Sequence, residues 1–259
     1  MWVSELNQWL TECVNAFVGK SAIVDTLVAL PMRNELVKAV PVLACLIAVW
    51  HSGTDEQKLE RRKWLLLAIV AATFSAGFSR LLSESNSLPR PYTFQSQVYR
   101  LDGDELVAQP VTARRVPQDG SSMARQESLS QGNIPPNDFG SFPSDHAALF
   151  FTLACGILAA SRPVGALAMA WTCGMILFPK VWTGMHTPLD ILGGCAIGVT
   201  TLWCATWLVR RLPAASSYVV RGTLKFDGLG TALLFVFLFE AGSTFEHAVA
   251  LMRGFARFL

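Results

Sequence analysis

Long apolar runs separated by short polar turns dominate the chain. A helix that crosses a bilayer needs about 20 mostly apolar residues, within a range of roughly 17–25. Five stretches meet that demand: Glu35–His51, Trp64–Leu82, Ser144–Ala160, Val164–Trp182 and Pro188–Val209. A sixth begins near Leu229 and meets Glu240, which leaves its far end open. Upstream, Leu6, Leu10, Cys13 and Phe17 recur at helical spacing, with Glu5, Gln8, Glu12 and Asn15 elsewhere on the wheel. That pattern predicts an amphipathic helix over Ser4–Phe17, lying in the membrane interface. Ser21–Pro31 is apolar but too short to span, and Pro31 is expected to end any helix that starts there.

Composition agrees with a bilayer protein. Of 259 residues, 52% are apolar and only 15% charged, against about 45–50% and about 25% in soluble domains. Mean hydropathy is +0.38. A disordered chain, a coiled coil and a nucleic-acid-binding arm are excluded. The net charge of +2 implies no polyanionic partner. The expected fold is therefore an all-α integral membrane protein, one domain over 1–259. It is a bundle of five to six transmembrane helices with an interfacial N-terminal helix. Six cysteines occur without any CxxC pair, so neither a disulfide framework nor a zinc site is expected. The N-terminus lacks a basic segment with a cleavage site, so no signal peptide is expected.

Basic residues set the orientation. The loop Ser52–Lys63 carries Lys58, Arg61, Arg62 and Lys63, the turn after the third span carries Arg162, and Arg210, Arg211, Arg221 and Lys225 follow the fifth. Alternating spans put all of these on one side, taken as cytoplasmic. Arg253 and Arg257 would then lie outside, which speaks against the sixth span. The polar stretch 83–143, between the second and third spans, faces outward. Within it, QVYRL and DELVAQPV flank Asp102-Gly103, a hairpin signal. Gln118–Asn137 is rich in Ser, Gln, Gly and Pro and reads as flexible. The segment is expected to be a mobile lid over an outward site or a solvated linker.

Three clusters at the outward mouths of the spans carry candidate chemistry. Arg90 lies between Pro89 and Pro91, whose rings hold the backbone extended, and a rigid guanidinium suits a pair of phosphate oxygens. Ser144, Asp145 and His146 open the third span as cap and first turn, a place that attracts anions. Lys180 ends the fourth span. His186 precedes Thr187, Pro188 and Asp190, a cap, a first-turn proline and an acid that reaches back to orient the imidazole. Cations, helix N-termini and two imidazoles together suit phosphoryl transfer without a metal. One ring attacks phosphorus, and the other protonates the leaving oxygen.

These residues resemble the membrane branch of the type 2 phosphatidic-acid phosphatase superfamily. Its signature is Lys-x6-Arg-Pro, Pro-Ser-Gly-His and Ser-Arg-x5-His-x3-Asp. Here stand Arg90-Pro91, Pro143-Ser144-Asp145-His146 and Lys180-x5-His186-x3-Asp190. Ser-Phe-Pro-Ser-Asp-His is similar to the bacterial subgroup acting on undecaprenyl pyrophosphate. The resemblance implies His186 as the nucleophile that becomes phosphohistidine, Asp190 as its orienting acid and His146 as the general acid. Arg90, Ser144 and Lys180 would hold the phosphate, with no metal and no cofactor. The chain departs from the pattern at Ser83, where the family has its first lysine, at Asp145 for glycine and at Lys180 for arginine. Arg80, one turn before Ser83, is the expected replacement cation.

The resemblance implies a lipid phosphatase of the bacterial cytoplasmic (inner) membrane, its site facing the periplasm or exterior. Its substrate would be a polyprenyl pyrophosphate or a related lipid phosphate. A phosphotransferase using the same intermediate is the alternative, and a non-catalytic transporter or scaffold ranks third. The sequence leaves the oligomeric state open.

Overall fold

The structure is a computed structural model, and it describes residues 2–17, 20–85, 90, 97–102, 105–110 and 140–242. Its elements in chain order are α1 (Trp2–Asn15), α2 (Ala22–Arg33), α3 (Glu35–His51), α4 (Asp55–Ser85), β1 (Gln97–Asp102), β2 (Glu105–Pro110) and α5 (Asp145–Ala160). There follow α6 (Arg162–Trp171), a π-helical segment (Thr172–Leu177), α7 (Phe178–Trp182), α8 (Pro188–Arg211), α9 (Pro213–Lys225) and α10 (Asp227–Gly242).

Three helical stretches are long and apolar enough to cross a membrane: Asp55–Ser85, Arg162–Trp182 and Pro188–Arg211, of 31, 21 and 24 residues. Two expected spans are shorter. The 17 residues of α3 and the 16 of α5 rise about 25 Å, less than a hydrocarbon core of about 30 Å. The sixth apolar run is bent: Tyr218–Lys225 and Asp227–Ala241 meet at 105°.

α4, α5 and α8 form the centre of the bundle. α4 turns a face of small residues inward, with Ala68, Ala71, Ala72, Ser75, Ala76 and Ser79 all buried. Ser75 Oγ donates to Ala148 O on α5 at 3.1 Å. On α8, Gly194 and Gly198 face α5 so closely that added Cβ atoms would fall 2.3 Å from Ser144 O and 2.2 Å from Thr152 Oγ1. Small residues let membrane helices approach in this way, since lipid gives no hydrophobic drive for helices to associate. Large apolar side chains point outward instead, among them Phe74, Phe78, Trp203, Trp207, Phe235 and Phe239. In water such a surface would be a liability; against lipid tails it is the solvated face.

Four local expectations change. Pro31 lies inside α2, which ends at Arg33 with Asn34 N donating to Leu30 O at 3.1 Å. Ser52–Lys63 is largely the opening of α4, which begins at Asp55. Arg62 is buried there: its guanidinium lies 4.6 Å from the Trp50 ring and donates to Trp50 O, Thr223 O and Asp227 Oδ1. The hairpin forms, antiparallel, but Asp102 pairs with Glu105 and so belongs to β1 instead of the turn. The flanks of Arg90, the stretch Gln118–Asn137, and Arg253 and Arg257 lie outside the described residues.

Candidate active site

The site assembles where α3, α5 and α8 begin and α7 ends. Chain direction alone brings these ends together in an antiparallel bundle. α5 opens on Ser144, whose extended backbone (φ −73°, ψ 118°) lets its Oγ accept from Ala147 N at 3.4 Å. α8 opens with a capping box: Thr187 Oγ1 accepts from Asp190 N at 3.3 Å, and Asp190 Oδ2 accepts from Thr187 N at 2.7 Å. Ser144 N donates to Asp190 O at 3.0 Å and ties the two helix starts together. Between α7 and α8, Gly184 at φ 68° turns the corner, and Met185 N and His186 N both donate to Lys180 O.

His186 is 3% exposed. Its Nδ1 lies 3.0 Å from Ser141 O. A carbonyl only accepts, so the neutral ring carries its proton on Nδ1 and leaves the lone pair on Nε2. Asp190 Oδ2 is 3.5 Å from Nδ1, too long for a strong bond, and it accepts instead from Ser141 Oγ. The expected orienting acid therefore acts largely through Ser141. Burial lowers the His186 pKa from 6.5 to about 4; Asp190 opposes this, while Arg90 and Lys180 add to it. The ring is neutral at ordinary pH, as a nucleophile requires.

His146 is held by its neighbour. Asp145 Oδ1 accepts from both His146 N (2.7 Å) and Nδ1 (2.8 Å). On the other side of the ring, Nε2 is 3.5 Å from Lys38 Nζ. Two features thus emerge that the sequence did not reveal. Asp145, which marks a departure from the motif, orients an imidazole, and Lys38 on α3 reaches the same ring.

Lys180 is buried, and its charge acts on both His146 and His186. It lies in α7, directly after the π-helical segment, one residue past Pro179 in the first turn. Trp182 Nε1 donates to Asp25 Oδ1 on α2 at 2.9 Å, fastening α7 from outside. Arg90 reaches the corner, with Nη1 3.5 Å from Met185 O. Arg80 does not come to the site through any contact described: its Nε lies 3.7 Å from Glu84 Oε1.

The amides of the two helix starts are largely engaged. Leu189 N donates to Asn7 Oδ1 of α1 at 3.1 Å, beside the two bonds of the capping box. An anion here would be held mainly by side-chain cations and by the field of two helix N-termini, less by open backbone donors. Among the described residues, no three His, Cys, Asp or Glu side chains converge as a metal site.

Comparison with known proteins picks out the same part of the chain. Residues 106–213 match the PAP2 superfamily. That stretch holds Ser144, His146, Lys180, His186 and Asp190, but not Lys38 or Arg90. Over 74 residues the chain is 34% identical to "Bacitracin transport permease protein BcrC" of Bacillus licheniformis, covering 28% of this chain and 35% of that protein. Over 59 residues it is 37% identical to "Putative undecaprenyl-diphosphatase YbjG" of Escherichia coli (strain K12), covering 23% and 30%. The matched stretch thus spans about a third of these relatives' length. No solved structure matches the chain. Both oriented imidazoles fall within residues 106–213, the stretch that matches the PAP2 superfamily.

Proposed function

We propose that the protein is a membrane phosphatase that removes the terminal phosphate of a polyprenyl diphosphate through a phosphohistidine on His186. The observation that carries this reading is the bond from His186 Nδ1 to Ser141 O, which leaves Nε2 with its lone pair. Nε2 attacks the terminal phosphorus as the bond to the bridging oxygen breaks. His146, held by Asp145, gives a proton to that oxygen. Water then attacks the phosphohistidine, passes a proton to His146 and releases inorganic phosphate. Arg90 and Lys180 neutralise the equatorial oxygens, where charge is spread in the transition state. The Ser144 hydroxyl, already accepting from Ala147 N, donates its proton to a phosphate oxygen.

A lipid substrate suits a site of this kind set among membrane helices, because tail and headgroup can be met together. The name of the Escherichia coli relative, an undecaprenyl-diphosphatase, supports that substrate. The basic residues gather at the end of the bundle away from the site, among them Lys58, Arg162, Arg210 and Arg211, which supports a site facing the periplasm or exterior.

The test is phosphate release from undecaprenyl diphosphate in the presence of a chelator, with ³²P trapping of an acid-labile phosphoenzyme. Release and labelling that both disappear in His186→Ala are expected. Wild-type protein that releases no phosphate, or loses activity with metal removal, would refute the reading. A phosphorylated acceptor without inorganic phosphate would turn it into the transferase.

A further inference from the structure

The phosphatase reading, on which this inference rests, uses Arg90, Lys180 and Ser144 for the transferred phosphate and gives Lys38 no task. Lys38 is 7% exposed, one turn into α3, whose start is fixed by Asn34 Oδ1 accepting from Leu36 N at 2.9 Å. Its Nζ lies 3.5 Å from an imidazole nitrogen. That nitrogen, His146 Nε2, is the atom that must protonate the leaving oxygen, since Nδ1 is tied to Asp145. Lys38 therefore stands on the leaving side of the reacting phosphorus. The site's cations divide accordingly: Arg90 acts on His186, Lys38 on His146, and Lys180 on both.

A cation on the leaving side matters only when the leaving group is an anion. A lipid monophosphate departs as an alcohol, neutral once His146 has protonated it. A lipid diphosphate departs as a phosphate monoester that keeps its own negative oxygens. We propose that Lys38 binds this departing phosphate and makes the enzyme selective for diphosphates over monophosphates. At rest Lys38 donates to the lone pair of His146 Nε2. Once substrate displaces the ammonium, that lone pair takes up a proton from solvent and His146 serves as the acid for either substrate, while Lys38 has an anion to bind only when a phosphate departs.

The experiment compares farnesyl diphosphate with farnesyl monophosphate, which share one tail. Lys38→Gln should lower kcat/KM for the diphosphate about 10- to 100-fold, the worth of one hydrogen bond to a charged group. The monophosphate should change less than about threefold, and Lys38→Arg should restore most of the diphosphate rate. His146→Ala should show the opposite order, losing more on the monophosphate, whose alkoxide is the poorer leaving group. Equal loss on both substrates, or no loss, overturns the role of Lys38. A wild-type protein inactive on both overturns the phosphatase reading instead. A second readout uses unaltered protein. Acylation of Lys38, followed by peptide mass spectrometry, should slow with methylenediphosphonate and far less with inorganic phosphate. No slowing, or equal slowing by both, overturns the proposal however the variants fold.

Discussion

Ser141 organises the nucleophile with both ends of one residue. Its carbonyl accepts from His186 Nδ1, and its hydroxyl donates to Asp190 Oδ2. Ser141→Ala removes only the hydroxyl, so the tautomer should survive and kcat should fall modestly, about 3- to 30-fold. Asp190→Asn should cost more, because Oδ2 also caps α8. Steady-state rates of the two variants beside His186→Ala, expected inactive, check this order. The pH dependence belongs to His186. With its pKa lowered to about 4 from 6.5, the acid limb of kcat/KM governed by the nucleophile should lie near pH 4. Arg90→Gln removes a cation that lowers this pKa, so the limb should move towards higher pH; a pH–rate profile tests both. The lowering also affects stability: below pH 6.5 the unfolded chain takes up a proton that folded His186 refuses until about pH 4, so folding weakens across that window. His146, His186, Asp190, Ser144 and Lys180 stand out in the sequence because a polar residue at the end of an apolar run is conspicuous. Lys38 shares that position, yet nothing local singles it out, since only its distance to a ring 108 residues away gives it meaning. Ser141 was equally hidden, because a backbone carbonyl carries no side-chain signature.

Helices are placed by close contact at glycine and by buried polar latches. Gly198→Val puts carbon where Thr152 Oγ1 and Ala148 O already lie. It should push α5 from α8 and lower stability by about 1–3 kcal/mol, read as a lower unfolding temperature in detergent. Arg62 is the corresponding latch at the far end, joining α3 and α4 to the α9–α10 bend through Trp50 O, Thr223 O and Asp227. Arg62→Met should cost about 1.5–3 kcal/mol while leaving kcat per folded molecule unchanged, since the arginine is remote from the site. Periodicity located these helices well: α3 spans Glu35–His51 as expected, and Pro188 opens α8. It missed the bend at Phe226 and the continuation of α2 past Pro31, because both depend on partners outside the segment.

For the whole molecule, the membrane reading predicts opposite exposure of the two ends. In a cysteine-free background, an impermeant thiol reagent should label a cysteine placed at Glu84 from the exterior and one at Gly53 only after lysis. The reverse pattern would invert the topology. Class, helix order and the alternation that brings the starts of α3, α5 and α8 to one end were all determined by the sequence, because runs of apolar residues have no other low-energy state in a bilayer. The candidate chemistry was also legible, since histidines and cations are rare in such a chain. Only the tertiary structure decided which groups meet: Lys38 beside His146, Arg80 beside Glu84, and Ser141 between His186 and Asp190. Hydrogen bonds act over about 3 Å, and distances that short between remote residues are fixed by how helices pack, a quantity that no local pattern encodes.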